Sequence, residues 1–289
     1  MSVPLSSKVS LILPVFQGGE LFLGAIQSIE ESAIPFEKII ISFNGSDPAD
    51  YETFSALQKD GKLKREYTTY RTLQNLSAAE HGQFALENML GQFQSGSSIM
   101  FLAHDDRILT EADDEAVQRE FALAVDPQVV YFPAYHCCQA GFYDQVTHVL
   151  ERTAAYTSDE FFWLTMRENV PTNMSGMIFP FEAWAEALRE VQRNKSGARF
   201  EHMLCIAPVV REVLFTNSIK TLIGERPSSD GKQLTNLQQR KAALAYVIAY
   251  RRNGHLRHLK RGLPFLNQLM RKYLAYAIAS SGERLRRSH

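Results

Sequence analysis

The sequence predicts an α/β protein: a doubly wound, mostly parallel sheet with helices on both faces and a helical C-terminal tail. Three observations carry this. Short apolar runs alternate with helically spaced segments through the first hundred residues, the pattern left by strand–helix–strand units. The runs 9–16, 38–43 and 98–103 are apolar, and each stops at a polar turn, as strands covered on both faces do. A chain of 289 residues, 45% hydrophobic and 22% charged, can bury the core of one elaborated domain or two packed lobes, which excludes wholesale disorder.

The elements follow in order. Strand 9–16 passes through Pro14 and ends in a loop of Gln17, Gly18 and Gly19. Leu21, Leu23, Ala25, Ile26 and Ile29 have helical spacing over 20–32, and Pro35 closes that segment. Strand 38–43 follows, with Asn44, Gly45, Ser46, Asp47 and Pro48 as a dense turn signal. Two strands joined through a helix imply a parallel pair with a right-handed crossover. A helix over 51–59, a strand over 64–70 and a helix over 77–90 lead into strand 98–103. The second half reads as helix 111–125, strand 128–135, an unassigned mixed stretch 140–150, and helix 157–169 capped by Ser158 or Asp159. A turn into a strand over 173–179, helices 181–192 and 200–210, and a strand or loop over 213–222 complete it. Beyond a flexible stretch at 227–231, helices are expected over 234–252 and 256–278. There is no internal repeat.

The strand at 98–103 runs into Asp105 and Asp106. Ligands of open α/β sheets bind at the carboxyl ends of strands, and paired carboxylates there suit a hard divalent cation such as Mg²⁺ or Mn²⁺. A solvated acidic turn is the alternative. Charge is uneven: from Arg251 onward there are ten basic residues against Glu283 alone, so an acidic body carries a basic tail. Cys137, Cys138 and Cys205 have neither a disulfide pattern nor zinc spacing and read as reduced thiols. No stretch has the length and apolarity of a membrane span or of a signal peptide. The expected setting is cytoplasmic, with at most a peripheral membrane contact.

The order of these signals resembles glycosyltransferase family 2, of the GT-A fold. Residues 9–18 resemble its opening strand and its proline–hydrophobe–aromatic–polar–glycine turn. Residues 39–47 resemble its second strand and Asn-Gly-Ser-type turn, and residues 101–106 resemble its aspartate-rich DXD element. Asn75, Glu80 and Asn88 resemble the pattern before that strand. The resemblance covers about the first 110 residues. It implies an inverting, metal-dependent transfer of a sugar from a nucleotide-sugar, with UDP the expected carrier, to a glycan or lipid-linked acceptor in surface polysaccharide assembly. Pro14, Val15, Phe16, Asn44, Ser46 and Asp105 would then hold the donor, and Asp106 with Asp105 the Mn²⁺ or Mg²⁺. Asn173 and Gly176 resemble the segment that lines the acceptor pocket. Glu201 falls at the place of the family's catalytic base, with His202 where a second acid stands. On this reading residues 1–110 are the donor half and 111–225 the acceptor half of one domain, and 226–289 form the tail.

Two positions depart from the family: Phe43 replaces a base-contacting aspartate, and Ala103 an acid of the DXD element. They permit a second reading, a scaffold that keeps the fold without turnover. A nucleotidyltransferase is disfavoured, because Gln17 to Glu20 offers no basic residue to a phosphate. His104 reads as either a polar contact or a structural residue. Asp159 and Glu160 are alternative acids at a first helical turn. Phe161, Phe162, Trp163 and Trp184 could stack on sugars, although aromatics at helical spacing are more often core. The basic amphipathic stretch 256–278 suits either an anionic membrane interface or packing on the acidic body or a second subunit. Nucleic acid is not an expected partner; a homodimer is a candidate assembly.

Overall fold

A computed structural model describes residues 9–45, 48–89, 91–93, 96–110, 114–138, 146–150, 153–167, 172–194, 200–224 and 247–249. The donor half runs β1 (Val9–Val15), α1 (Gly19–Glu31), β2 (Ile39–Phe43), α2 (Ala49–Lys59), β3 (Thr68–Arg71), α3 (Ala78–Met89), β4 (Ser98–Phe101) and β5 (Arg107–Leu109). Then come α4 (Glu115–Leu123), β6 (Val129–Cys138), β7 (Val146–Leu150), β8 (Ala154–Thr157), α5 (Ser158–Arg167), β9 (Ile178–Pro180), α6 (Phe181–Asn194), α7 (Phe200–Cys205) and β10 (Glu212–Ile223).

All ten strands join one sheet in the order β3-β2-β1-β4-β9-β6-β10-β5, with β7 beside β6 and β8 beside β10. The strands β1, β2, β3, β4, β6 and β10 share one direction; β5, β7, β8 and β9 oppose it. The α/β expectation is borne out, and every antiparallel pair includes a strand of the second half. Side chains alternate across a strand, so each strand feeds two cores. Leu11, Leu13, Ile39 and Ile41 meet Phe22, Ala25 and Ile29 of α1, Phe54 of α2 and Ala122 of α4 on one face. Ile12, Ile40 and Ile99 meet Leu86 of α3, Phe161 of α5, Trp184 of α6 and Leu204 of α7 on the other. Burying one such side chain contributes about 1.5–3 kcal/mol.

Several boundaries differ from expectation for identifiable reasons. Residues 64–67 are not strand, because Lys64 N–H and the Tyr67 hydroxyl donate to Glu30, while Arg65 reaches the Ile34 carbonyl, so the segment is pinned to the end of α1. Helix α7 stops at Cys205, three residues before Pro208. The cap of α5 is Thr157, not Ser158 or Asp159: Thr157 N–H and Oγ donate to Glu160, whose own N–H returns to Thr157 Oγ at 3.2 Å. That reciprocal box satisfies orphan donors at the helix start. Ser77 and Glu80 repeat it at α3. The undecided stretch 213–222 is the long strand β10, and β7 occupies part of the unassigned 140–150.

Phe161, Phe162 and Trp184 are core, and Trp163 packs against them. Of the tail, only 247–249 is described: it is helical, with Ala249 fully buried and Val247 packed on the same core cluster. The remainder of the tail expectations, and the flexible stretch 227–231, lie outside the described residues. Among the described residues no helix is long and apolar enough to cross a membrane.

Candidate functional site

The sheet opens a crevice at β1. Pairing of β1 with β4 ends at Ile12 opposite Phe101, whereas pairing with β2 continues to Val15 opposite Phe43. The Ile12 carbonyl still accepts the Leu102 N–H at 3.0 Å, after which the chain turns away. Pro14 lies two residues on and therefore faces the vacated side, where a missing N–H costs nothing. In the order β3-β2-β1-β4 the winding reverses between β1 and β4, the point at which open α/β sheets bind ligands.

An open cleft of about 100 Å³ lies at this edge, lined by Val15, Phe16 and Gln17 of the first turn, Phe43, Asn44 and Asp50 of the second, and Asn75. The Phe16 ring is 41% exposed. Phe43 is buried edge-on against Phe22 and Tyr51, with ring centroids 5.6 and 5.4 Å away. Its place in a hydrophobic core accounts for the departure noted in the sequence. The Asn44 amide is committed to the chain: its Nδ2 donates to the Leu76 carbonyl at 2.8 Å and its Oδ1 accepts the Leu76 N–H at 2.9 Å. It staples the 72–77 loop over the end of β2. Of the expected donor residues, Val15, Phe16 and Asn44 line the cleft, Pro14 sits just outside the lining, and Ser46 is outside the described residues.

The aspartates behave differently from one another. Asp106 is 4% exposed; its Oδ2 accepts the Ser175 hydroxyl and its Oδ1 accepts the Gly224 N–H at 2.9 Å. Ser175 Oγ also accepts the Ala103 N–H at 2.9 Å. Asp106 thereby clasps its own turn, the connector 172–176 and the end of β10. Asp105, on the same turn, is half-buried. His104 packs on Gly18: a Cβ there would lie 3.1 Å from the His104 ring. Gly18 N–H in turn donates to Asp50 in the cleft, so the cleft and the aspartate turn meet across one glycine.

Among the described residues no three His, Cys, Asp or Glu side chains gather to hold a metal ion. As two adjacent carboxylates, Asp105 and Asp106 fit the kind of Mg²⁺ or Mn²⁺ site that one or two carboxylates start and substrate phosphates complete. They do not fit an all-protein cage.

On the acceptor side, Asn173 Oδ1 accepts the Ser175 N–H at 2.8 Å, closing the connector into a turn. Gly176 is buried with φ of 78°, and a Cβ there would stand 2.4 Å from Thr221 and 3.0 Å from Pro133. The close approach that requires glycine here is made by the protein's own Thr221 and Pro133. Glu201 is 8% exposed, and Thr172 Oγ lies 3.4 Å from both Glu201 Oε1 and His202 Nε2. A hydroxyl has one proton and a carboxylate only lone pairs. Thr172 therefore donates to Glu201 and accepts from Nε2–H of His202. Thr172 and Ser175 are three residues apart, within about 11 Å even if extended, so one connector links Asp106 to the Glu201–His202 pair. Asp159 lies in the first turn of α5 and Glu160 serves as its capping acid.

Asp50, Gln17, Thr172, Ser175 and Gly224 were not singled out from sequence. An aspartate in a first helical turn, or a serine in a turn, gives no signal of a partner 32 or 69 residues away. Asn75 stood inside a matched pattern but had no assigned role.

No protein-family model matches this chain, and no curated protein sequence matches it. Among solved structures, it is similar to S. aureus TarS 1–349 in complex with UDP-GlcNAc, with 14% identity and a TM-score of 0.49 over 82% of this chain and 66% of that one. It is also similar to the mannosyltransferase PcManGT from Pyrobaculum calidifontis in complex with GDP-Man and Mn²⁺, with 12% identity and a TM-score of 0.48 over 86% and 65%. The chain thus spans just under two thirds of either protein's length. At these scores the likenesses carry no argument about activity.

Proposed function

We propose that this chain is a glycosyltransferase that moves a sugar from a nucleotide-sugar, with UDP the first carrier to test, to a glycan or lipid-linked acceptor with inversion. One observation supports this above the others: an open cleft over the carboxyl ends of β1 and β2 adjoins, through Gly18, a turn bearing a buried and a half-buried aspartate. The cleft has an exposed aromatic face in Phe16 for a nucleobase and polar groups in Gln17, Asp50 and Asn75. Asp105, backed by Asp106, would hold the divalent cation. When bound, that cation supplies charge neutralisation to a departing diphosphate. The acceptor hydroxyl's proton goes to the Glu201–Thr172–His202 group. Glu201 is the first candidate for the base, with half-buried His202 beside it across Thr172.

Thermal shift against a panel of sugar nucleotides, with and without Mn²⁺, tests the reading, since a ligand bound only by the native state raises its melting temperature. The expected result is a Mn²⁺-dependent shift with one donor class, lost in Asp105→Asn. A second reading, a scaffold without turnover, is favoured by the internal bonds on both Asp106 oxygens. Donor binding without hydrolysis or transfer to any acceptor selects the scaffold. Binding of no sugar nucleotide removes both.

A further inference from the structure

The turn after β1 forms an anion cradle from backbone alone. Gln17 and Gly19 have positive φ of 50° and 54° on either side of right-handed Gly18. Residues of alternating hand point successive amides into one concavity, and a non-glycine residue held left-handed marks a conformation that its surroundings enforce. The amides of Gly18 and Gly19 also open α1, where helix N–H groups lack internal partners and the dipole favours negative charge. On such a sheet this is where a phosphate would be expected to settle.

Here the concavity is filled from within. Asp50 Oδ2 accepts the Gly18 N–H at 2.7 Å and Oδ1 accepts the Gly19 N–H at 2.8 Å. Asp50 belongs to the first turn of α2 and itself lines the cleft together with Phe16 and Gln17. The two bonds therefore fix one cleft-lining turn against another.

We propose that Asp50 is a positioning residue for the donor: its carboxylate sets the turn that carries Phe16, and by filling the cradle it sends the donor's phosphates to the Asp105–Asp106 edge. This rests on the donor reading above. A carboxylate suits the role because it only accepts, and both amides only donate. An asparagine keeps one bond and turns its NH₂ toward the other amide; an alanine leaves the cradle to a foreign anion.

The test titrates inorganic phosphate into the full chain and follows the Gly18 and Gly19 amide resonances. In Asp50→Ala these shift and saturate in the millimolar range, whereas in the unmodified chain they stay still. In steady-state assays, Asp50→Ala raises the donor KM by about tenfold with kcat within about threefold, and Asp50→Asn gives a smaller rise in KM. A residue that merely holds the fold would lower kcat and melting temperature with no selective effect on KM. Unmoved amides in Asp50→Ala together with an unchanged donor KM in both variants overturn the proposal. If the unmodified chain binds no sugar nucleotide, the donor reading falls, and this proposal's donor role with it, while the phosphate titration still decides whether Asp50 guards the cradle.

Discussion

Each half of this molecule holds a hydroxyl–histidine pair, and the two differ in spacing, burial and neighbours. In the donor half, Ser42 of β2 and His81 of α3 meet at 2.7 Å with both residues buried. In the acceptor half, Thr172 and His202 stand 3.4 Å apart, with His202 half-buried and Glu201 alongside. Burial pushes the His81 imidazole down to about 4, partly offset by Ser42, so that ring stays neutral and ties a helix to the sheet. His202 keeps access to water. The same two functional groups make a structural tie in one place and a candidate proton acceptor in the other, and solvent decides which. The adjacent aspartates repeat the lesson, Asp106 sealed and Asp105 half-buried.

The largest effect should separate those aspartates. Asp106→Ala leaves the Ser175 hydroxyl and the Gly224 N–H without their acceptor, and two hydrogen bonds to a charged group are worth about 4 kcal/mol together; urea denaturation should register it. Asp105→Ala should cost less stability than Asp106→Ala in the same experiment, yet lose donor turnover by about a hundredfold or more. Equal stability losses would erase the contrast.

Next comes His81. Its native pKa lies below the unfolded value near 6.5, so its neutral form contributes stability that is complete above that value. That contribution declines as pH falls from about 6.5 to about 4, where the native ring protonates as well. The loss amounts to at most about 3 kcal/mol, and it should be missing from His81→Asn when both proteins are denatured at pH 7 and pH 4.5. A matching slope in both proteins would mean the imidazole is not sealed.

The smallest effect belongs to Thr172. Thr172→Val removes a hydroxyl between Glu201 and His202 and should cost about 1 kcal/mol, whereas Thr172→Ser should cost less. The sharper readout is ¹⁵N NMR of the His202 ring: protonated Nε2 in the parent and in Thr172→Ser, and a mixture of tautomers in Thr172→Val. A parent ring protonated at Nδ1 alone would reverse the assigned direction of the Thr172–His202 bond.

What the sequence disclosed follows from how local each signal was. Strands β1, β2 and β4 and helix α1 were legible because apolar periodicity and turn chemistry lie within the segments themselves. So was the position of Asp105 and Asp106 after a buried strand. Strand β9 was expected within 173–179 and is only three residues long, whereas β5, also three residues, was not anticipated because it exists only through its pairing with β10. The partners of Asp106 could not be read either: Ser175 and Gly224 lie 69 and 118 residues away. Gly176 was legible as a required glycine, but the reason is the crowding of Thr221 and Pro133, a tertiary fact.

Strand β5 leaves the donor half and pairs antiparallel with β10, Arg107 opposite Leu222, at the far edge of the sheet. The polypeptide is braided, so a cut near residue 110 would not release two units able to mature alone. During synthesis, the turn carrying Asp105 and Asp106 emerges more than a hundred residues ahead of the strand that completes it. Distant pairings form slowly, because loop closure is disfavoured before the contact rewards it. The edge that bears these aspartates should therefore be among the last parts of the nascent chain to take shape.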